Sequence, residues 1–280
     1  MELLSSIGWT VVASLFILIV CVVIEHVAAI ERYSLRARVP GLFMNIAGTI
    51  LGVSLMWPIG RLWDWLGVGP FVSIPLWDWL RPLGATGYAL QVLAIFVAAD
   101  FFAYWRHRAE HSWLLWPVHK VHHSPTELHA ANNIGHPIQS LFSWGFIGVP
   151  LGLIRIDGPA APVIAGIIVA LLATYIHSPI DIHFGKLRLV LVDNRYHRIH
   201  HSLEPHHIDK NFGICFSIWD RLFGTACDPR PGEWPAVGVA GVTPPRNVRD
   251  FLLLPFRHSG HRPVDGAIPS IEAALPARSR

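Results

Sequence analysis

The chain has 280 residues, 52% of them apolar and only 15% charged, against roughly a quarter charged in an average soluble domain. That balance argues against an ordinary soluble fold, and against disorder over most of the length, which requires low hydrophobicity and high charge. A formal net charge of +3, with arginines that form no single basic stripe, argues against a nucleic-acid partner. Cys21, Cys215 and Cys227 include no CxxC pair, so neither a disulfide framework nor a thiolate zinc site is suggested.

In chain order, the first element predicted is an apolar span over 9–30, uncharged until Glu25 and as long as the roughly 20 residues that a membrane-crossing helix needs. A cleaved signal peptide fits less well, because MELLSSIG carries Glu2 and no basic residue and no small-residue cleavage site follows. Arg32, Arg36 and Arg38 come next, and the positive-inside tendency assigns that loop to the cytoplasm. Further apolar stretches cover 42–57, 88–104, 138–154 and 161–176, several of them short for a full crossing. Between the second and third, WDWL occurs twice with Gly and Pro between; tryptophan favours the membrane interface, so this reads as an interfacial or re-entrant segment. Arg106 and Arg108 close the third span on the cytoplasmic side. The turn RIDGPA, centred on Asp157 and Gly158, makes the last two stretches a hairpin that leaves the cytoplasm and returns. Beyond Pro229 the Pro, Gly and Arg content rises; FLLLPF at 251–256 is expected to touch the membrane surface, and the last fifteen or so residues to be disordered.

Seven of the 17 histidines lie between His107 and His136 and seven between His177 and His207. The hairpin separates these two fields in sequence and returns them to one face. HRAEH holds His107 and His111 four residues apart, one above the other on a helix. HKVHH (His119, His122, His123) and HRIHH (His197, His200, His201) each present a histidine that shares a face with both later ones, while the adjacent pair diverges by about 100°. Such a pair suits two different ions. Eight imidazoles, ten with His136 and His177, exceed what one tetrahedral ion uses, so two ions are expected. Imidazole alone does not choose among zinc, copper, iron and nickel. The ExxH pattern of carboxylate-rich bundles and HExxH are both absent. His26, His129, His183, His206 and His207 are weaker candidates.

Dense histidine would also serve a membrane metal transporter or storage protein, although a transporter should carry ligands within its spans. A zinc hydrolase would need a carboxylate base, for which only Glu110 and Glu127 offer themselves.

DFFAYWRHRAEH, LLWPVHKVHHS and DNRYHRIHHS followed by DKNFG and WDRLFGT together resemble the fatty acid hydroxylase superfamily, the integral membrane group that includes sterol desaturases, sterol methyl oxidases and alkylglycerol monooxygenase. The likeness covers about 100–225. It implies an all-α membrane bundle of four to five transmembrane or re-entrant helices under a cytosolic di-metal cap. It also implies two iron ions held by His107, His111, His119, His122, His123, His136, His177, His197, His200 and His201. Asp100, Tyr104, Asp193, Asn194, Asp209 and Asn211 suit partners that orient the rings, and equally suit caps and turn formers. The implied activity is dioxygen-dependent hydroxylation or desaturation of a lipid C–H bond, with electrons from an external donor such as a cytochrome b5, a ferredoxin or a reductase. Residues 1–99 are then membrane anchor, 100–227 the catalytic region and 228–280 a partly disordered tail. Ala, Arg and Pro usage leans toward a bacterial inner membrane over an endoplasmic reticulum; the oligomeric state stays open.

Overall fold

The protein is described by a computed structural model covering residues 2–156 and 161–257. Two long helices, α1 (Glu2–Ala28) and α2 (Leu35–Trp65), open the chain; Ser34 starts α2 by accepting the Ala37 N–H on its hydroxyl, 3.2 Å. A short α3 (Leu76–Leu80) leads into α4 (Ala85–Glu110), which ends in the first histidine box. After α5 (Trp116–His123), the hairpin's first arm is α6 (Gln139–Ser143), one wide π turn over Trp144–Gly148 and α7 (Val149–Leu153). The wide turn sits where it does because Pro150 has no N–H to offer the carbonyl of Phe146, and Val149 bonds instead to Trp144. The second arm is α8 (Ala161–Tyr175); α9 (Asn194–His200), α10 (Ile218–Leu222) and α11 (Val248–Leu253) follow.

The expected spans are present but longer: α1, α2 and α4 are each long and apolar enough to cross a membrane. α8 has 15 residues, about 22 Å at 1.5 Å per residue, short of the roughly 30 Å hydrocarbon core. Two elements were not anticipated. β1 (Val72–Ile74) and β2 (Ile154–Ile156) pair in parallel, with Val72 opposite Ile154, so the segment between the second and third spans is tied to the hairpin's tip. The Asp157–Gly158 turn itself, His258, His261 and the tail expected to be disordered lie outside the described residues.

α1 packs on α2 and α8, and α8 packs on α4. α2 approaches the chain after α5 closely: a Cβ at Gly41 would stand 2.3 Å from the Ala131 carbonyl oxygen, so only glycine fits. Glu25, the first charge of the 9–30 span, is turned inward. It is 1% exposed, pairs with Arg38 and accepts the Ala130 N–H at 2.7 Å. Arg38 therefore belongs to this buried pair rather than to a solvated basic loop. The α1–α2 corner is further tied to the chain after α8, where Ala29 bridges Ile180 and the Ile30 N–H reaches the Pro179 carbonyl at 2.7 Å. The basic corner and both histidine fields consequently share one end of the bundle.

FLLLPF departs from its expected place at the membrane surface. Phe251 is fully buried and Leu254 nearly so, in a core with Met44, Trp116, Val121 and Ile134. Leu253 and Phe256 remain exposed. An amphipathic turn next to a half-built core buries Phe251 and Leu254 there, because removal from water is worth about 25 cal/mol per Å² wherever it occurs.

Candidate metal centre

Among the described residues, nine histidines converge in two groups. One holds His107, His111, His119, His123 and His200; the other holds His122, His177, His197 and His201; all are buried, and the candidate ligand atoms within each group lie within 4.8 Å of one another. Each adjacent pair, His122–His123 and His200–His201, is split between the groups, which is what a divergence of about 100° on a helix produces. His136 joins neither. Its Nδ1 lies 3.3 Å from the Ile138 N–H nitrogen and its Nε2 lies 3.3 Å from the Leu252 carbonyl; following proline turns the chain away, and the ring only lines the adjoining cavity.

The ring nitrogens have a specific polarity. His122 Nδ1 faces the Ile134 carbonyl at 3.1 Å and His177 Nδ1 faces the Ala173 carbonyl at 2.7 Å. A carbonyl only accepts, so both rings donate from Nδ1 and carry a lone pair on Nε2. Yet the two Nε2 atoms stand 3.2 Å apart. Two lone pairs at that distance repel unless a cation lies between them. The same spacing recurs: His111 to His123 at 3.2 Å, His123 to His119 at 3.1 Å, His197 to His177 and to His201 at 3.1 Å, all Nε2 to Nε2. Two ligands about 2.1 Å from one ion are about 3.0–3.4 Å apart when the angle between them is about 90–110°. His107 Nε2 and His200 Nε2, which complete the first group, are buried without a hydrogen-bond partner. The residues fit a pair of metal ions.

Protonation does not relieve the crowding. Burial, reinforced by neighbouring rings, holds His119, His122, His123, His197, His200 and His201 well below the ordinary imidazole value, and burial brings His177 down to about 4. Neutral imidazole is the form that binds a metal.

The segment 209–213 orients much of the first group. Asp209 Oδ1 lies 3.2 Å from His111 Nδ1, the Lys210 carbonyl 2.7 Å from His200 Nδ1 and the Phe212 carbonyl 2.8 Å from His107 Nδ1. Asp209 and Asn211 reach these positions with φ of 56° and 59°, a left-handed conformation that Asp and Asn tolerate better than most residues. Of the orienting partners the sequence suggested, Asp209 alone touches a grouped ring. Asp100 accepts the N–H groups of Cys215 and Phe216 and the Trp219 indole, each at 3.0 Å. Asn211 donates to Tyr196 and Cys227 carbonyls, Tyr104 meets Thr225, and Asn194 holds Ser178 and Ile180. Asp193 caps α9 and binds Arg188. These residues fix backbone, and the backbone fixes rings.

Three partners escaped the sequence reading. Glu110 is fully buried with Oε2 3.1 Å from His119 Nδ1, beside the Gln139 amide at 2.9 Å from the same nitrogen. Asp220 accepts the Phe212 and Gly213 N–H groups and the Thr225 hydroxyl, holding the orienting segment in place. Glu110 stands in HRAEH, and its helical spacing from Arg106 was a usable signal. Carbonyl partners leave no signal in residue identity.

A cavity of about 270 Å³ opens beside the rings, bounded by Arg106, His107, His122, Asn133, His177 and His197. A second, of about 210 Å³, lies between α1, α2 and α8 among Val11, Leu15, Leu18, Leu42 and Ile46. Asn133 and Ala173 line both.

Residues 92–225 match the family described as fatty acid hydroxylase. This stretch is a fatty acid hydroxylase domain. The domain contains all nine grouped histidines. The chain is 32% identical over 185 residues to ornithine lipid hydroxylase OlsE of Rhizobium tropici, which covers 65% of this chain and 55% of that protein. It is 30% identical over 165 residues to the alkylglycerol monooxygenase of Homo sapiens, 58% of this chain and 35% of the relative. It is 34% identical over 102 residues to the very-long-chain aldehyde decarbonylase GL1-8 of Oryza sativa subsp. japonica, 36% and 32% respectively. The chain thus spans little more than half of the first relative and about a third of the others. No solved structure gives a significant match.

Proposed function

We propose that this protein is a membrane-bound, dioxygen-dependent lipid oxidoreductase with a di-iron centre, and that its reaction is hydroxylation of a lipid C–H bond. The observation that carries this reading is the convergence of nine imidazoles, seven of them with Nε2 atoms 3.1–3.2 Å from a neighbour's, next to an apolar cavity among helices long enough to cross a membrane. Iron bound there would supply dioxygen activation, with the balance R–H + O2 + 2 e⁻ + 2 H⁺ giving R–OH + H2O. The two electrons come from a separate donor such as a cytochrome b5, a ferredoxin or a reductase. His107, His111, His119, His123 and His200 would hold one ion, and His122, His177, His197 and His201 the other.

The chain's own residues orient the substrate and exclude water. An acyl chain entering between α1, α2 and α8 would pass Leu18 and Ile46 along a mostly apolar lining and meet the ring cavity at Asn133 and Ala173. Arg106, bound to Ser143 Oγ at 2.6 Å, presents positive charge to the same cavity and suits a polar head. Hydroxylation is preferred over desaturation because the first of the relatives above is named for it. Arg32, Arg36 and Arg106 favour a cytoplasmic side for the centre, and the Ala, Arg and Pro usage favours a bacterial inner membrane.

Lipid profiles of cells with and without the protein test the reading. A lipid gaining one oxygen is expected; loss of two hydrogens would replace hydroxylation by desaturation. An unchanged profile in iron-replete cells with a competent donor would favour metal transport or storage.

A further inference from the structure

Among the described residues outside the histidine centre, one cluster of ligating side chains remains without a role. Glu204, His206, His207 and Glu233 bring one candidate ligand atom each within 4.8 Å of one another. His207 Nε2 lies 3.6 Å from Glu233 Oε1, and His206 Nε2 lies 3.6 Å from Glu204 Oε2. Both separations are too long for a hydrogen bond and suit two ligands of one ion. Half of the cluster is already fixed. His207 is 1% exposed, and its other nitrogen, Nδ1, is held 2.9 Å from Ser202 Oγ. Glu233 Oε2 accepts the Arg230 N–H at 2.7 Å, which leaves Oε1 turned toward His207. Supporting bonds of this kind orient ligand atoms before an ion arrives. His206 and Glu204 are about half exposed and can close from the solvent side.

We propose that Glu204, His206, His207 and Glu233 form a separate site for a divalent transition ion of the zinc class. Two imidazoles and two carboxylates suit such an ion, and Mg²⁺ and Ca²⁺ are disfavoured by the nitrogen donors. The site is placed to act on the histidine centre without touching it. Glu233 begins a strap that crosses the third histidine box: the Pro235 carbonyl accepts from Arg198 Nε at 2.8 Å, the Ala236 carbonyl from the Leu203 N–H at 3.0 Å, and the Gly238 N–H reaches the His201 carbonyl at 3.2 Å. Trp234 stacks over the Arg198 guanidinium, 4.2 Å away. Ser202, Glu204, His206 and His207 come from the loop that leaves the same box. An ion joining Glu233 to this loop pins the strap across His201.

Titration of the full-length protein with Co²⁺ alone tests the site whatever the histidine centre binds. The wild type should take up one equivalent more than Glu233→Gln and one more than His206→Ala, and the lost equivalent should carry the intense visible absorption of a four-coordinate cobalt ion. Co²⁺ should also protect residues 230–240 from proteolysis in the wild type and not in the variants. Equal stoichiometry in all three proteins overturns the proposal, and so does an equal loss in His183→Ala, an exposed histidine far along the chain from the cluster. His206→Ala changes a half-exposed side chain and Glu233→Gln keeps the shape of a largely buried one, and unchanged thermal unfolding without metal verifies that both fold.

Discussion

Along α1, Trp9, Val12, Phe16, Ile19, Val23 and Val27 are exposed, whereas around the histidines the buried side chains are Asp100, His119, Asp193, Asn194, His201, Asn211 and Asp220. The bundle thus turns apolar surface outward, and the cap turns polar surface inward. Each is sound only in its own solvent. Lipid tails accept exposed Val and Phe at no cost, while buried carboxylates and imidazoles persist only where every partner is supplied, because an unsatisfied buried polar group costs about 1–3 kcal/mol and a charged one more. The difference teaches that the outward face of the bundle tolerates change and the interior of the cap does not.

The sharpest break in that comparison comes from the ligands. His200→Ala and His122→Ala should each lower lipid oxidation by more than about 100-fold, a loss exceeding that of any supporting residue. Metal analysis should show His200→Ala emptying the five-histidine group first and His122→Ala the four-histidine group; full occupancy of both in the double variant would sink the two-ion assignment. Next is Asp220→Ala, which strands two backbone N–H groups and leaves the Thr225 hydroxyl with Tyr104 as its remaining partner. Removing three hydrogen bonds of this kind costs about 3–5 kcal/mol, to be read as a lower midpoint of thermal unfolding together with disturbed metal spectra. Glu110→Gln leaves the fold intact and releases His119 Nδ1 from its carboxylate, so metal affinity should fall about 10–100-fold, measured by competition with a chelator.

Acidification gives a milder, graded effect. His177 is brought from the ordinary 6.5 down to about 4, and its neighbours are lowered in the same direction. Below about pH 6.5 the unfolded chain takes up protons that the folded cap refuses, so stability is complete above that pH and declines as pH falls toward 4. Metal content after dialysis across this window should fall in parallel; retention down to pH 4 would contradict neutral, lone-pair-donating rings. The smallest effect belongs to the outer bundle. Val23→Ala, on an exposed position of α1, should change stability by less than about 0.5 kcal/mol, and a larger change in thermal midpoint would show that α1 is covered by protein and not by lipid.

Local geometry is legible in the sequence. HxxxH and HxxHH fix angles within one helical turn, so His107 with His111, and the splitting of His122 from His123 and of His200 from His201, were visible before any fold was known. Apolar runs marked α1, α2 and α4, because the length of a span is a property of the chain alone. His136 shows the limit: it lies close to the second box in the chain and beside a proline, yet its ring faces Ile138 and Leu252. The 251–256 segment shows it again, since its apolar character was legible and the core waiting for it was not.

What the amino-acid sequence determined by itself, then, is which residue types recur at helical spacing and which stretches can cross a membrane. Only tertiary structure decided that Lys210, Phe212, Ile134 and Ala173 would orient the rings through their carbonyls, that Glu25 would meet Arg38, and that the strap would cross His201. The reason is physical: every residue carries the same backbone carbonyl, so its placement against a ring distant in the chain is set by packing and leaves no mark in residue identity.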